Sequence, residues 1–355
     1  FAGDLEQRFG LRPTVYTDHR DLLKDGATDG VDLCLPHNVH HTVAVDCLEA
    51  GVPVLCEKPL GITMRGAQKM VDAADRNDVP LSTAVQMRRT LGQRTAHWIL
   101  NQSGLIGDPL TFFLYFTGPL REAPKYGQIP PRRVWRRNRL ISGGRHILDA
   151  GFHYCDSIRY LLGEVKTVHA EAREFATGEA RSLAEGIEDA VYATMTFESG
   201  VLGIWAFGLI LPGAVSQETI FYGSQGSLQD TGDNPYRVFH LFGEDTGLLT
   251  KTDGTEISYD ELEKMYLASL DEDEKQTLFP NGVTNGFALE VWEFIEVVRG
   301  RREKPEVDGW EGLRSQAVCE AIYESAYTGR VITIADVISG KERAYQAPID
   351  EHWGL

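Results

Sequence analysis

Along the first 90 residues, short apolar runs and stretches of helical periodicity take turns. Val31-Asp-Leu-Cys-Leu35 is a nearly continuous apolar run that stops at Pro36. Thr42 to Ala50 then repeats apolar positions at helical spacing as far as Gly51, a residue suited to a helix C-terminus. Val52-Pro-Val-Leu-Cys56 is a second run, Thr63 is placed to cap a helix over Met64 to Arg76, and Val79-Pro-Leu-Ser-Thr-Ala-Val85 is a third run. Upstream, Asp4 to Gly10 reads as helix, Thr14-Val-Tyr16 as a short strand, and Asp18 as the cap of a helical turn to Leu23. Strands alternating with helices at this spacing predict βαβ units and a doubly wound parallel sheet.

Beyond Gly107-Asp-Pro109 the period changes. Leu110 to Phe116, Val165 to Phe175, Ile187 to Phe197, Val201 to Leu211 and Glu218 to Tyr222 carry apolar residues at every second position, with few helices between them. That pattern predicts a large, open, mostly antiparallel sheet with helices over one face. Asp230 to Pro280 is turn-rich and acidic, including Asp271-Glu-Asp-Glu274, and reads as a solvated insertion. Helices are expected again at Ala288 to Arg299 and Leu313 to Thr328. The expected division is an N-terminal domain over 1–107, a C-terminal domain over 108–340 and a tail over 341–355.

Composition narrows the partners. A chain of 355 residues with 42% hydrophobic and 25% charged residues is globular and long enough for two cores. Its net charge of −17 repels phosphate backbones and anionic membranes, which argues against nucleic acid. The longest apolar stretch, Val201 to Leu211, falls well short of the ~20 residues of a membrane helix. Cys34, Cys47, Cys56, Cys155 and Cys319 are scattered and never form a CxxC pair, so they read as buried thiols of a reducing cytoplasm. Phe1 opens inside helical periodicity, so the native N-terminus is expected to lie upstream, and a signal peptide is neither affirmed nor excluded.

Two stretches carry candidate chemistry. In Cys56-Glu-Lys-Pro-Leu60, Lys58 follows a buried run and would emerge at the carboxyl edge of a parallel sheet, where open α/β folds bind ligands. There its ammonium can stabilise an alkoxide, although spacing alone favours an ordinary loop lysine. Gly143-Gly-Arg-His-Ile-Leu-Asp-Ala-Gly-Phe-His-Tyr-Cys-Asp156 opens on a flexible Gly pair and sets Asp149 and His153 four apart on an expected helix. A carboxylate beside an imidazole suits a general base, with Asp156 as a second orienter; a stabilising helical pair is the commoner outcome. His37, His40 and His41 cluster without a thiol or acid spaced to complete a metal site, so no metal is expected. No GxGxxG phosphate cradle occurs in the 355 residues. Arg121 to His146 holds eight Arg or Lys against one acid, which reads either as an electropositive lining or, slightly favoured, as an arm docking on an acidic surface of a neighbouring subunit.

Taken together these stretches resemble the glucose-fructose oxidoreductase and inositol dehydrogenase family, Gfo/Idh/MocA, over nearly the whole chain. Val31-Asp-Leu-Cys-Leu-Pro-His-Asn-Val-His40 matches its strand and Thr-Pro-Asn-x-x-His turn, with Leu35 and His37 departing from the usual Thr and Asn. Glu49-Ala-Gly-Val-Pro-Val-Leu-Cys-Glu-Lys-Pro-Leu60, Val85-Gln-Met-Arg-Arg89, Trp135-Arg136, Ser142-Gly-Gly144, Asp149 to Asp156, Pro305 to Gly309 and Glu320 to Arg330 follow in the family's order. The resemblance implies an N-terminal Rossmann domain, a C-terminal α/β domain with an open sheet, NAD or NADP, and oxidation or reduction of a secondary alcohol on a sugar, glycoside or polyol. It implies Lys58, Asp149 and His153 as catalytic residues, with His153 the base, Lys58 the electrophile and Asp149 the orienter. Cofactor contacts are expected from Leu35, Pro36, His37, His40, Glu57, Lys58 and Gln86. Substrate contacts are expected from Lys58, Arg88, Trp135, Arg136, Asp149 and His153. The family's first strand and Gly-rich turn would precede Phe1. A homo-oligomer, dimer or tetramer, is expected through the C-terminal sheet, with Val201 to Leu211 at the interface. Glycoside cleavage by transient oxidation, and a non-catalytic sugar sensor, remain alternatives.

Overall fold

A computed structural model describes residues 2–118, 131–175, 181–183, 186–208, 210–232 and 247–355. Two helices, α1 (Ala2–Phe9) and α2 (His19–Asp25), precede the first strand, and Asp18 caps α2 by accepting from the Arg20 amide. Thr14 to Tyr16 forms no strand. Val15 is exposed there and no neighbouring strand offers this stretch a ladder.

Three short strands, β1 (Val31–Leu33), β2 (Val54–Glu57) and β3 (Leu81–Ala84), then pair in that order, all parallel. Their crossovers are α3 (His37–Glu49) and α4 (Met64–Asn77). Helix α3 begins five residues earlier than the apolar period suggested, because its inner face opens with His37, His40 and His41, which are buried like the apolar Ala44, Cys47 and Leu48 that follow. Thr63 caps α4 by accepting from the Gly66 amide, Asp78 ends it in the left-handed region, and Ala67, Met70 and Val71 bury its inner stripe. Burying Met70 and Val71 stabilises the fold by about 1.5–3 kcal/mol each.

Helix α5 (Leu91–Asn101) leads to β4 (Pro109–Thr117), the first strand of a sheet that has nine strands among the described residues. After a 3-10 segment at Pro131–Arg137 come α6 (Arg139–Ser142), α7 (Ala150–Leu162), β5 (Val165–Arg173), β6 (Ala190–Phe197), β7 (Leu202–Gly208), β8 (Ser216–Gly223), β9 (Gly226–Asp230), β10 (Gly247–Lys251) and β11 (Glu256–Ser258). Helices α8 (Tyr259–Ser269), α9 (Glu272–Leu278), α10 (Gly286–Val298) and α11 (Gly309–Thr328), strand β12 (Ile332–Thr333), α12 (Ile334–Ile338) and α13 (Ala347–Trp353) complete the chain. The strand order is β11-β10-β9-β8-β4-β7-β6-β5-β12, antiparallel except for the parallel β4–β7 pair. Phe112, Leu114, Trp205 and Phe207 face inward, and Trp205 packs on Tyr154 of α7. The other face carries exposed Phe113, Tyr192, Leu202 and Tyr222.

The acidic segment before Pro280 is structured where it is described, not a solvated insertion. It supplies two sheet strands and two helices, and buries Leu249, Tyr259, Leu262 and Tyr266. Asp271 and Glu274 form a reciprocal capping box that starts α9, so the acidic run is a helix N-terminus. The last residues fold back on the start of α4. Asp350 accepts from the Thr63 hydroxyl, Gln346 accepts from the Met64 amide, and Arg65 donates to the Leu355 carbonyl.

Candidate functional site

The carboxyl ends of β1, β2 and β3 open onto a cavity of about 500 Å³. Leu35, Pro36, His37, Glu57, Lys58 and Gln86 form its wall on the parallel-sheet side, and Trp135, Arg136, Asp149 and His153 close it opposite. These stretches are distant in sequence, and the chain reversals at three strand ends bring them to one place. Cys34 and Phe287 also line the cavity and were not foreseen; Phe287 lies in the first turn of α10, whose sequence carries only an apolar period.

The parallel sheet delivers Lys58 one residue past β2. Its ammonium donates to Asp149 Oδ1 at 2.7 Å and to the Asp149 backbone carbonyl at 2.8 Å. Arg136 reaches Asp149 Oδ2 at 3.1 Å, so both carboxylate oxygens are engaged by cations. Burial opposes ionisation of Asp149, but Lys58 and then Arg136 outweigh it and hold the carboxyl well below its usual range. Asp149 stands at the N-terminus of α7 and not inside it, with a backbone outside the helical region. The expected Asp149–His153 pair therefore does not form: the carboxylate turns to Lys58, and His153 Nδ1 is buried without a hydrogen-bond partner among the described residues. Burial first, and the Lys58 ammonium second, push the His153 imidazole down to about 3. Asp156 does not orient His153 either; it accepts from Arg88 and from the Ser315 hydroxyl.

Two other expected contacts lie behind the wall. His40 is buried with Nδ1 on the Pro59 carbonyl at 3.0 Å and Nε2 on the Leu35 carbonyl at 2.9 Å, so it links the two strand-end turns without facing the cavity. Arg88 is buried and donates from Nε to Asp156 at 2.9 Å and from Nη1 to Glu311 at 3.3 Å; it ties the end of β3 to α7 and α11 and is not among the residues that line the cavity. His37 sets Nδ1 against the Ser142 carbonyl at 2.7 Å and its ring edge against Trp135. The Gly143-Gly144 pair serves close packing, not flexibility. Gly143 is left-handed, and a Cβ there would lie 2.5 Å from the Ile62 carbonyl oxygen. Of the basic arm, Arg121 and Lys125 lie outside the described residues, while Arg136 faces the cavity and Arg139 stacks on Tyr345.

A dinucleotide's nicotinamide half fits this wall. Helix α3 starts at the cavity with no side chain capping its first amides, and Arg136 Nε and His153 Nδ1 are buried donors or acceptors without partners among the described residues. The pyrophosphate half has no GxGxxG turn among the 355 residues.

An open parallel sheet, backed by a broad antiparallel sheet, defines a two-part α/β protein with a polar ligand cleft at the strand ends. Residues 2–85 match the family model for the oxidoreductase NAD-binding Rossmann fold, and residues 102–334 match that for its C-terminal alpha/beta domain. The chain belongs to the Gfo/Idh/MocA oxidoreductase family. Among its relatives, 1,5-anhydro-D-fructose reductase of Ensifer adhaerens is 30% identical over 52% of each chain. D-Apiose dehydrogenase of Paraburkholderia graminis is 26% identical over 92% of this chain and 78% of that one. Levoglucosan dehydrogenase, solved in complex with NADH and levoglucosan, has the same fold, with TM-score 0.71 at 21% identity over 94% of this chain and 87% of that one. The chain spans about half the length of several curated relatives it matches. No helix among the described residues is long and apolar enough to cross a membrane.

Proposed function

We propose that this protein moves a hydride between a nicotinamide, NAD or NADP, and a secondary hydroxyl of a sugar, glycoside or polyol. The observation that supports this reading is the convergence of Lys58, Asp149 and His153 on one cavity at the carboxyl ends of a parallel sheet. When bound, the nicotinamide supplies the hydride acceptor or donor. Asp149, held ionised, fixes the Lys58 ammonium in place. Lys58 then stabilises charge on the substrate oxygen, and that stabilisation is greatest in the transition state. His153 is neutral across the working pH range and lines the cavity with Nδ1 buried, so in this reading Nε2 takes or returns the hydroxyl proton. In this reading Asp149 orients Lys58, and Trp135 and Arg136 bound the substrate side.

A homo-oligomer through the open sheet face belongs to the same proposal. Phe113 lies between Ile220 and Ile204 in register, and with Tyr192, Leu202 and Tyr222 it forms an exposed apolar face across four adjacent strands. A division near residue 107 and a cytoplasmic setting complete the reading; five free thiols suit the latter.

The test is a panel of sugars, polyols and glycosides, followed by the absorbance of reduced cofactor with NAD and NADP separately. Turnover of a secondary alcohol is expected. Release of free sugar without net reduced cofactor would move the assignment to glycoside cleavage, and ligand binding without chemistry would move it to a sensor.

A further inference from the structure

The stretch that carries Asp149 is held from below by a side chain outside the cavity. Glu188, just ahead of β6, is completely buried. Its Oε1 accepts from the Ile147 amide at 2.9 Å, the Arg145 amide at 3.1 Å and the Tyr323 hydroxyl at 2.8 Å. The Arg145 amide also donates to the Tyr323 hydroxyl oxygen at 2.9 Å, so Glu188 and Tyr323 grip the same turn together. That turn continues into the site: the Asp149 amide donates to the Arg145 carbonyl at 2.9 Å, and Asp149 then meets Lys58.

The neighbours leave this grip little slack. Tyr323 stacks on Tyr345 with ring centroids 4.4 Å apart, and the Tyr345 hydroxyl donates to the Gly143 carbonyl. A Cβ on Gly144 would run into the Tyr323 hydroxyl, which gives that glycine a reason. Burial, and next the Glu188 charge, push the Tyr323 phenol well above its usual range, so it stays a donor.

We propose that Glu188 and Tyr323 are positioning residues that set the height of Asp149, and through it the Lys58 ammonium, against the substrate. They touch neither substrate nor cofactor. The inference rests on the reading that Lys58, Asp149 and His153 perform the chemistry.

Tyr323→Phe is the clean probe, since it keeps the ring stack and removes only the hydroxyl. Turnover is expected to fall about tenfold, with KM for alcohol and cofactor held within about twofold, because ångström-scale misplacement of a reacting group costs up to about 10²-fold. Glu188→Gln retains one acceptor oxygen and is expected to recover much of what Glu188→Ala loses. Amide hydrogen exchange over residues 143–151 of the full chain, which needs no known substrate, should quicken in each variant while exchange over β5 to β7 stays put. Wild-type turnover in Tyr323→Phe and Glu188→Ala, or a fall in turnover with unchanged exchange over 143–151, would overturn the proposal. Lys58→Ala is the control: if it retains turnover, the reading of the site fails, whatever Glu188 does.

Discussion

The parallel strands β1, β2 and β3 are three or four residues long, and each delivers a cavity residue within two positions of its carboxyl end: Leu35, Lys58 and Gln86. The strands of the larger sheet are up to nine residues long, and none of them lines the cavity among the described residues. Their inward aromatics instead seat α7, with Trp205 against Tyr154 and against Gly151, so that the helix that begins just after Asp149 meets the strand ends at a set height. Parallel strand ends converge on chemistry because all their carboxyl termini share one edge; an antiparallel sheet alternates its ends and serves as a platform. The strength of a sheet signal in sequence therefore says little about where the reaction occurs.

The junction between the two regions should be the easiest place to break the molecule. Arg88 and Asp156 are both buried and form the ion pair that joins the end of β3 to α7. Arg88→Ala leaves a carboxylate buried without its main partner, which costs about 3–5 kcal/mol. Urea unfolding should show that loss, and Arg88→Met with Asp156→Leu should restore most of it. A single-variant loss under about 1 kcal/mol would mean that the junction is held by packing alone.

On the strand-end side, Lys58→Ala is expected to lower kcat by about 10²–10³-fold, the usual cost of removing one charge-stabilising donor. Cofactor affinity, read by fluorescence titration, should fall far less; an equal fall would make Lys58 a binding residue. On the helix side, His153→Asn should lower kcat by about 10²-fold with the fold intact, and near-wild-type turnover at every pH would remove His153 from the mechanism.

Acid should loosen the junction as well. Burial pushes His37, His146 and His153 down to about 3, with His40, Arg145 and Lys58 as the respective next causes. The unfolded chain takes up protons below about pH 6.5 that the folded chain refuses until about pH 3. Their contribution is therefore intact above pH 6.5 and shrinks as pH falls through that window, by at most about 1.4 kcal/mol per pH unit for each group. Urea titrations at pH 7 and pH 5 should differ in that direction. The acid limb of turnover should also show no step near 6.5 from His153.

Much of the architecture was legible because its strands repeat at period two or stand as short apolar runs between caps; Thr63 and Asp18 cap helices as their positions suggested. The contents of the cavity were legible too, since Lys58, Asp149 and His153 sit in local motifs. Their partnerships were not. Asp149 and His153 looked paired because helical spacing was assumed to begin before Asp149, whereas α7 begins after it and releases the carboxylate to Lys58. Arg88 carried no sign of burial, because a buried arginine is visible only through its partner, 68 residues away in the chain. Glu188 gave no signal, being one acid in an unremarkable strand entry. The start of α3 was missed because buried histidines break a hydrophobic pattern while packing as part of it.

The outer face of the large sheet offers the gentlest test of the contrast between platform and strand ends. Leu202 and Tyr192 are 53% and 49% exposed, opposite in direction to the core aromatics beside them, so charge placed there meets solvent in a lone chain. Leu202→Glu with Tyr192→Glu should change the urea stability of a single chain by no more than about 0.5 kcal/mol per site, as is usual for exposed positions. In an assembly joined through this face the same change would bury charges against apolar side chains, so the mass by light scattering should drop to that of one chain at micromolar concentration. Turnover per site should persist, because among the described residues none of this face lines the cavity. A wild-type mass of one chain would end the proposed assembly, and an oligomer that survives both glutamates would place its interface elsewhere. Loss of turnover in a stable, folded double variant would show that the platform does more than hold α7, since the cleft would then depend on contacts made through the far side of the sheet.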